Sequence, residues 1–224
     1  MKILLVILNQ GQVFSALSSK ILEHYINTLK NGKHSISINY STLIMVDNNR
    51  NTIVDNFLKS DFDYLLMIDE DTVPFLNPID LVDMDKDVII LPALTFQKNQ
   101  ENPVIFNIYE KDGRYYKTLV CGKEKFVEID AGGTGCILIK RKVLEKIKRP
   151  FESVWNDKTG IREKGSDIYF CEKVKSKGFK IWTHWDYICD HYKTLSLFDV
   201  ADIIVKIRKE KIPSIPKKVL EENA

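Results

Sequence analysis

Asp69-Glu70-Asp71 follows the apolar run Tyr64-Leu65-Leu66-Met67-Ile68 and precedes Thr72-Val73-Pro74. Two carboxylates two residues apart at the end of a buried strand suggest a site for a hard cation. Side chains at i and i+2 of an extended segment point the same way. Mg²⁺ or Mn²⁺ takes one or two protein carboxylates and completes its shell with water and substrate phosphates. The plainer alternative is a polar strand-to-turn junction, because Asp and Pro both favour turns. Further along, Asp167 stands at the start of an expected helix, and His191 closes a β-like run in Cys189-Asp190-His191. Asp130-Ala131-Gly132-Gly133-Thr134-Gly135 is a glycine-rich loop. It lacks the Lys-Ser/Thr ending of a phosphate-binding P-loop, and a strand rather than a helix follows it.

The elements that position these residues can be read from periodicity. Residues 2–8 are apolar after Lys2, as expected of a strand buried on both faces. Leu17, Ile21, Leu22, Tyr25 and Leu29 recur at helical spacing over 14–30, and Asn31-Gly32 stops that helix. Residues 34–40 alternate as a strand. Residues 43–46 read as a short strand or turn, and a helix is expected over about 50–59. Strands are expected at 64–69 and 87–92, so the first 92 residues alternate strand and helix in an α/β pattern. Ligands of open α/β sheets bind beyond the carboxyl ends of the strands, which is where Asn9 and Asp69 fall.

The second half reads as short β-like runs over 104–130, with Asp112-Gly113 as a hairpin turn. A helix is expected over 142–148. Residues 151–165 read as a polar loop carrying Trp155. Ser166 is the expected cap of a helix over 167–177, with a strand at 179–183 after it. Leu197, Val200, Ile203, Ile204 and Ile207 define one face of an amphipathic helix over 196–210, and a loose tail follows from Ile212. The organisation expected is one domain over 1–195 with an appended helix and tail over 196–224.

Composition narrows the classes. With 33 basic and 31 acidic residues in 224, the net charge is +2, and no nucleic-acid partner is expected. The four cysteines form no C-x-x-C pair, so reduced thiols in a cytoplasmic protein are the simplest reading. Ile3 to Leu8 is too short for a membrane span or a signal-peptide apolar region. The run Lys206, Arg208, Lys209, Lys211, Lys217, Lys218 reads as a solvated face, with a peripheral contact to anionic lipid as the alternative.

Four blocks in order resemble the small phage and prokaryotic type of family 2 glycosyltransferase with the GT-A fold. They are the first strand ending in Asn9-Gln10-Gly11, DNNRNTIVDNFLKSDFDYLLMIDEDTVP (47–74), DAGGTGCILIKRKVLEKI (130–147) and GSDIYFCEKVKSKGFKIWTHWDYICDH (165–191). The resemblance implies an α/β GT-A fold, a Rossmann-like mixed sheet flanked by helices. It also implies transfer of a sugar from a UDP- or GDP-type nucleotide sugar to the hydroxyl of a carbohydrate or other acceptor.

By the same resemblance, Asp71 ligates Mn²⁺ or Mg²⁺ on the donor's diphosphate, and His191 is a third ligand. Asp69 contacts the ribose or a metal-bound water, while Glu70 points away. Asp167 is the catalytic base, expected to give inversion, although it stands alone as Ser166-Asp167 where the family commonly has an acidic pair. Arg50 lies near the nucleotide, and Asn9 faces the base. Gly133 lets the backbone approach donor and acceptor. Two rival classes are a nucleotidyltransferase and a degenerate, non-catalytic GT-A carbohydrate-binding module. The turn after the first strand offers one glycine and no basic residue, which disfavours the former.

Overall fold

The computed structural model describes residues 1–42, 45–96, 104–113 and 115–209. The chain begins β1 (Lys2–Leu8), α1 (Ser15–Asn31), β2 (Ser35–Ser41), α2 (Val46–Leu58), β3 (Tyr64–Asp69), β4 (Thr72–Pro74), a 3₁₀ helix (Pro78–Met84) and β5 (Val88–Ile90). Short strands follow: β6 (Leu94–Phe96), β7 (Val104–Phe106), β8 (Ile108–Asp112), β9 (Tyr115–Thr118), β10 (Phe126–Ile129), β11 (Ala131–Gly132) and β12 (Cys136–Lys140). Then come α3 (Arg141–Leu144), β13 (Val154–Trp155), β14 (Arg162–Lys164), α4 (Ser166–Ser176), β15 (Ile181–His184), β16 (Cys189–His191) and α5 (Leu197–Lys209).

A mixed seven-stranded sheet has the order β10-β15-β5-β12-β3-β1-β2. β2, β1 and β3 are mutually parallel neighbours, joined through α1 and α2. The expected strand–helix alternation stops there. A 3₁₀ helix leads into β5, and β12 enters antiparallel between β3 and β5. β15 pairs parallel to β5, and β10 closes the edge antiparallel to β15.

Uniformly apolar strands are explained by a core on each side of this sheet. Ile3, Leu5 and Ile7 of β1 join Tyr64, Leu66 and Ile68 of β3 against Leu17 and Ile21 of α1. Leu4, Val6 and Leu8 join Leu65 and Met67 against Ile53, Val54 and Phe57 of α2. Each strand thus buries alternate residues on opposite faces. Asp69 is next in the Leu65-Met67 series, so its side chain starts out on the α2 side.

Several elements differ from expectation. α2 begins at Val46, so the segment read as a strand or turn enters a helix; residues 43 and 44 lie outside the described residues. The helix expected over 142–148 is one turn, α3; the side chain of its first residue, Arg141, donates to the carbonyls of Phe57, Leu58, Ser60 and Phe62. Residues read as a loop form the β13–β14 hairpin, turned by Asn156 Oδ1 accepting from the backbone of Lys158 and Thr159. Ser166 is inside α4, whose cap position is Gly165, and it makes no capping bond. In α5, Leu197 is 87% exposed and Phe198 90%, so Leu197 does not share the packed face. The tail from 210 onward lies outside the described residues. Among the described residues no helix is long and apolar enough to cross a membrane.

Candidate functional site

The site forms at the carboxyl ends of β1 and β3, where Leu8 pairs with Asp69. α2 supplies its centre. Arg50, Ile53, Val54 and Phe57 share one helical face, so Arg50 lies a turn before the core residues and is carried inward with them. Its side chain is 3% exposed. Nη2 donates to both oxygens of Asp69, at 3.0 and 2.8 Å, and to the Thr134 carbonyl at 3.4 Å. Nη1 donates to Asp167 Oδ1 at 2.9 Å. One buried guanidinium therefore joins two carboxylates from distant segments, as its rigid fork allows. Burial opposes the charge on Arg50, but Asp69 and Asp167 outweigh it and raise its pKa.

The sequence reading puts Arg50 near the nucleotide; in the structure its two terminal nitrogens bond the protein's own carboxylates, Asp69 and Asp167. Burial pushes the Asp69 carboxyl up, Arg50 pulls it back, and the charges of Asp167 and Asp71 add to the rise.

Asp167 comes from the first turn of α4. Its Oδ1 accepts from Thr134 Oγ1 at 2.7 Å as well as from Arg50. Thr134, 1% exposed, is the residue of the glycine-rich loop that sequence reasoning did not single out. The Asp167 side chain is 41% exposed and lines a cavity of about 300 Å³ with Asp69, Asp71, Asn107, Tyr109, His191 and Lys193. Its Oδ2 has no hydrogen-bond partner among the described residues.

Asp71 does not follow Asp69. Residues 70 and 71 form a turn between β3 and β4, so strand alternation ends at Asp69; the two carboxylates meet different partners while lining the same two cavities. β16 pairs antiparallel with β4, bringing His191 opposite Thr72. Asp71 Oδ2 lies 3.4 Å from His191 Nε2 and 2.5 Å from Lys193 Nζ. Burial would raise the Asp71 carboxyl, but the bonds from His191 and Lys193 outweigh it and hold its pKa down to about 2. The Asp71 bond is the main cause raising the His191 pKa, with burial opposing it.

His191 Nδ1 is 2.8 Å from the Leu94 carbonyl, so that nitrogen carries the proton and Nε2 is the one turned to Asp71. An imidazole held in this way presents Nε2 as a ligand. Asp71 and His191 are thus a carboxylate and an imidazole side by side, residue types that suit a divalent ion. Asp69 lines the same cavity, with both of its oxygens accepting from Arg50 Nη2. Among the described residues no three His, Cys, Asp or Glu side chains form a metal-holding group.

A second cavity, about 180 Å³, lies on the other side of Asp69 and Asp71 and is lined by Leu8, Asn9, Gln10, Val46, Asn49 and Glu70. Asn9 is buried there. Its Oδ1 accepts from the Gly11 amide at 3.0 Å and its Nδ2 reaches the Ser41 carbonyl at 3.5 Å, so the amide shapes the turn after β1. Glu70, expected to point away, accepts from the Gln10 amide at 2.6 Å and forms part of this wall.

Gly133 lines the first cavity, but its close approach is to the protein. A Cβ there would lie 2.6 Å from Asn107 Nδ2. Asn107 has little room to yield, since its Oδ1 accepts from Ala93 N at 2.8 Å and its carbonyl accepts from Gly133 N at 2.8 Å. Gly133→Ala is therefore expected to destabilise the fold by about 1–3 kcal/mol through overpacking. A thermal melt checks this; an unchanged midpoint would mean that Asn107 moves freely.

Neither a family model nor a curated protein matches the chain. Solved structures do. The structure titled "Crystal Structure of A197 from STIV" matches with a TM-score of 0.56 and 24% identity over 87% of each chain. A structure of GalNAc-T7 with UDP, GalNAc and Mn²⁺ matches with a TM-score of 0.52 and 11% identity over 92% of this chain. The fold is GT-A. The match spans 47% of the GalNAc-T7 chain, under half its length. At these identities the likeness is one of fold. In the GT-A frame described here, the two cavities lie beyond the carboxyl ends of β1 and β3, and Asp71 borders both.

Proposed function

We propose that this chain is a glycosyltransferase that moves a sugar from a nucleoside-diphosphate sugar to an acceptor hydroxyl, with inversion. One observation carries the reading. Asp167 is fixed through Oδ1 by Thr134 and Arg50, while its Oδ2 is left in a cavity that also contains Asp71 and His191. A carboxylate held on one oxygen and unpartnered on the other is suited to accept a proton from a hydroxyl. The GT-A fold supplies the frame for such a donor and acceptor.

In this reading the cavity beside Asn9 and Asn49 takes the nucleoside, and the cavity beside Asp167 takes sugar and acceptor. Asp71 and His191 hold Mn²⁺ or Mg²⁺. The ion, when bound, acts as a Lewis acid that offsets charge on the leaving diphosphate. Asp167 Oδ2 orients the acceptor hydroxyl and takes its proton as the hydroxyl oxygen attacks the anomeric carbon. Arg50 and Thr134 keep Asp167 in place during that transfer. Asp69, on the other arm of Arg50, faces the ribose side of the cleft.

Calorimetric titration with UDP and then GDP, with and without Mn²⁺, tests this. One diphosphate should bind in a Mn²⁺-dependent manner. Asp71→Asn should weaken that binding on the order of a hundredfold, since even groups supporting a ligand contribute 10–100-fold. Binding of neither diphosphate by the folded wild-type protein would sink the reading. Full-strength, Mn²⁺-dependent binding by Asp71→Asn would remove Asp71 from the metal site.

A further inference from the structure

Lys193 has no part in the roles above, yet it lies against Asp71. Its backbone position is set by three neighbours. The Tyr192 amide donates to the Asp71 carbonyl at 2.8 Å. The Tyr192 ring packs on Phe14 with centroids 5.0 Å apart. His191, two residues before it, is tied to Leu94 and paired across to Thr72. With the chain so held, the Lys193 ammonium reaches the same Asp71 oxygen that faces His191 Nε2.

This arrangement sets up a competition. The oxygen best placed for a divalent ion beside His191 is already neutralised by an ammonium. Three carboxylates, Asp69, Asp71 and Asp167, share the cleft with two full cations, Arg50 and Lys193. Arg50 is locked between Asp69 and Asp167. Lys193 is the only lysine or arginine among the described residues lining the cavity, and its side chain is 46% exposed. A lysine is a compact charge on a flexible stem, able to exchange one anion for another within reach. A nucleoside diphosphate entering this cleft adds negative charge that the residual balance does not offset.

On the glycosyltransferase reading above, we propose that Lys193 is an exchangeable cation of the donor site. It pairs with Asp71 in the absence of donor, yields that oxygen to the divalent ion, and transfers its ammonium to the donor's diphosphate. Metal and diphosphate binding are thereby linked through one side chain. The metal releases the lysine, and the diphosphate receives it.

The signature is a pair of opposite shifts. Lys193→Ala removes a competitor for Asp71, so Mn²⁺ alone should bind about tenfold more tightly, as expected for loss of one charge-assisted hydrogen bond. The same variant lacks a contact to the diphosphate, so UDP or GDP at saturating Mn²⁺ should bind about tenfold more weakly. Lys193→Arg should keep much of the nucleotide affinity, since guanidinium also pairs with phosphate. Free Mn²⁺ is followed by its paramagnetic resonance signal, and nucleotide binding by calorimetry, on full-length proteins with matched circular dichroism.

Opposite shifts support the exchange. No change in either affinity, shifts of the same sign, or Mn²⁺ binding that stays undetected in Lys193→Ala overturns it. If wild type binds a diphosphate with Mn²⁺ but Lys193→Ala shows none of the shifts, the exchange fails while the donor site stands. If wild type binds neither diphosphate, the glycosyltransferase reading fails and the exchange with it.

Discussion

Asp167→Asn is expected to lower turnover by about 10²–10⁴-fold, the range that a positioned general base contributes. The substitution is unusually clean in this site. The asparagine Oδ1 can still accept from Thr134 Oγ1 and from Arg50, so the side chain keeps its place. Its Nδ2 then stands where Asp167 Oδ2 meets the cavity, and an amide nitrogen cannot take a proton from a hydroxyl. Arg50 keeps Asp69 as a charged partner, so the fold should survive. Donor binding should stay within about threefold, since no diphosphate contact is assigned to Asp167 and surface-accessible charge pairs are worth little. The measurement is release of UDP or GDP from the nucleotide sugar that calorimetry selects, with and without a panel of hydroxyl acceptors. Turnover near the wild-type rate would remove Asp167 as base. Turnover and donor affinity falling together would instead make it a binding residue.

Much of this frame was legible in the sequence, for physical reasons that can be named. Buried parallel strands need apolar residues on both faces, and residues 2–8 and 64–68 show that without ambiguity. The carboxylate pair at the end of β3 was visible because acids rarely follow such a run unless the strand is ending. What misled was the assumption that extension continues through Asp71. The turn at Glu70-Asp71 sends Asp69 toward α2 and Asp71 toward β16, and no periodicity reports a turn of that kind.

Long-range pairings were equally hidden. Arg50 and Asp167 are 117 residues apart, and nothing local marks them as partners. Arg50 did carry a readable signal, since it lies at helical spacing from Ile53, Val54 and Phe57, which predicts an inward rather than a surface side chain. Lys193 carried one too. It stands two residues after His191, the spacing that puts side chains on one side of an extended chain. The β13–β14 hairpin was signalled by Asn156 and Gly160, whose left-handed φ of 67° closes the turn. A polar composition masked it.

The second large effect is expected at Arg50. Arg50→Met keeps most of the side-chain volume and removes the charge. Asp69 and Asp167 then face each other without their shared cation. Breaking a buried pair by removing one partner costs about 3–5 kcal/mol. Asp69 and Asp167 are partly open to the cavity, at 30% and 41% exposure, so water offsets some of that penalty. The lower end, about 3 kcal/mol, is expected, a fall in Tm of roughly 6–12 °C for a chain of this size. Adding Asp69→Asn should recover part of the loss, because it removes one of the two stranded charges, so the two substitutions should be non-additive. Chemical denaturation of wild type, both single variants and the double variant measures this coupling. Additive losses, or a loss under about 1 kcal/mol in Arg50→Met, would show that Arg50 is not the electrostatic centre of the site. A large loss that the second substitution partly repairs would place the folding of α2, β3 and α4 and the orientation of Asp167 under the control of one guanidinium.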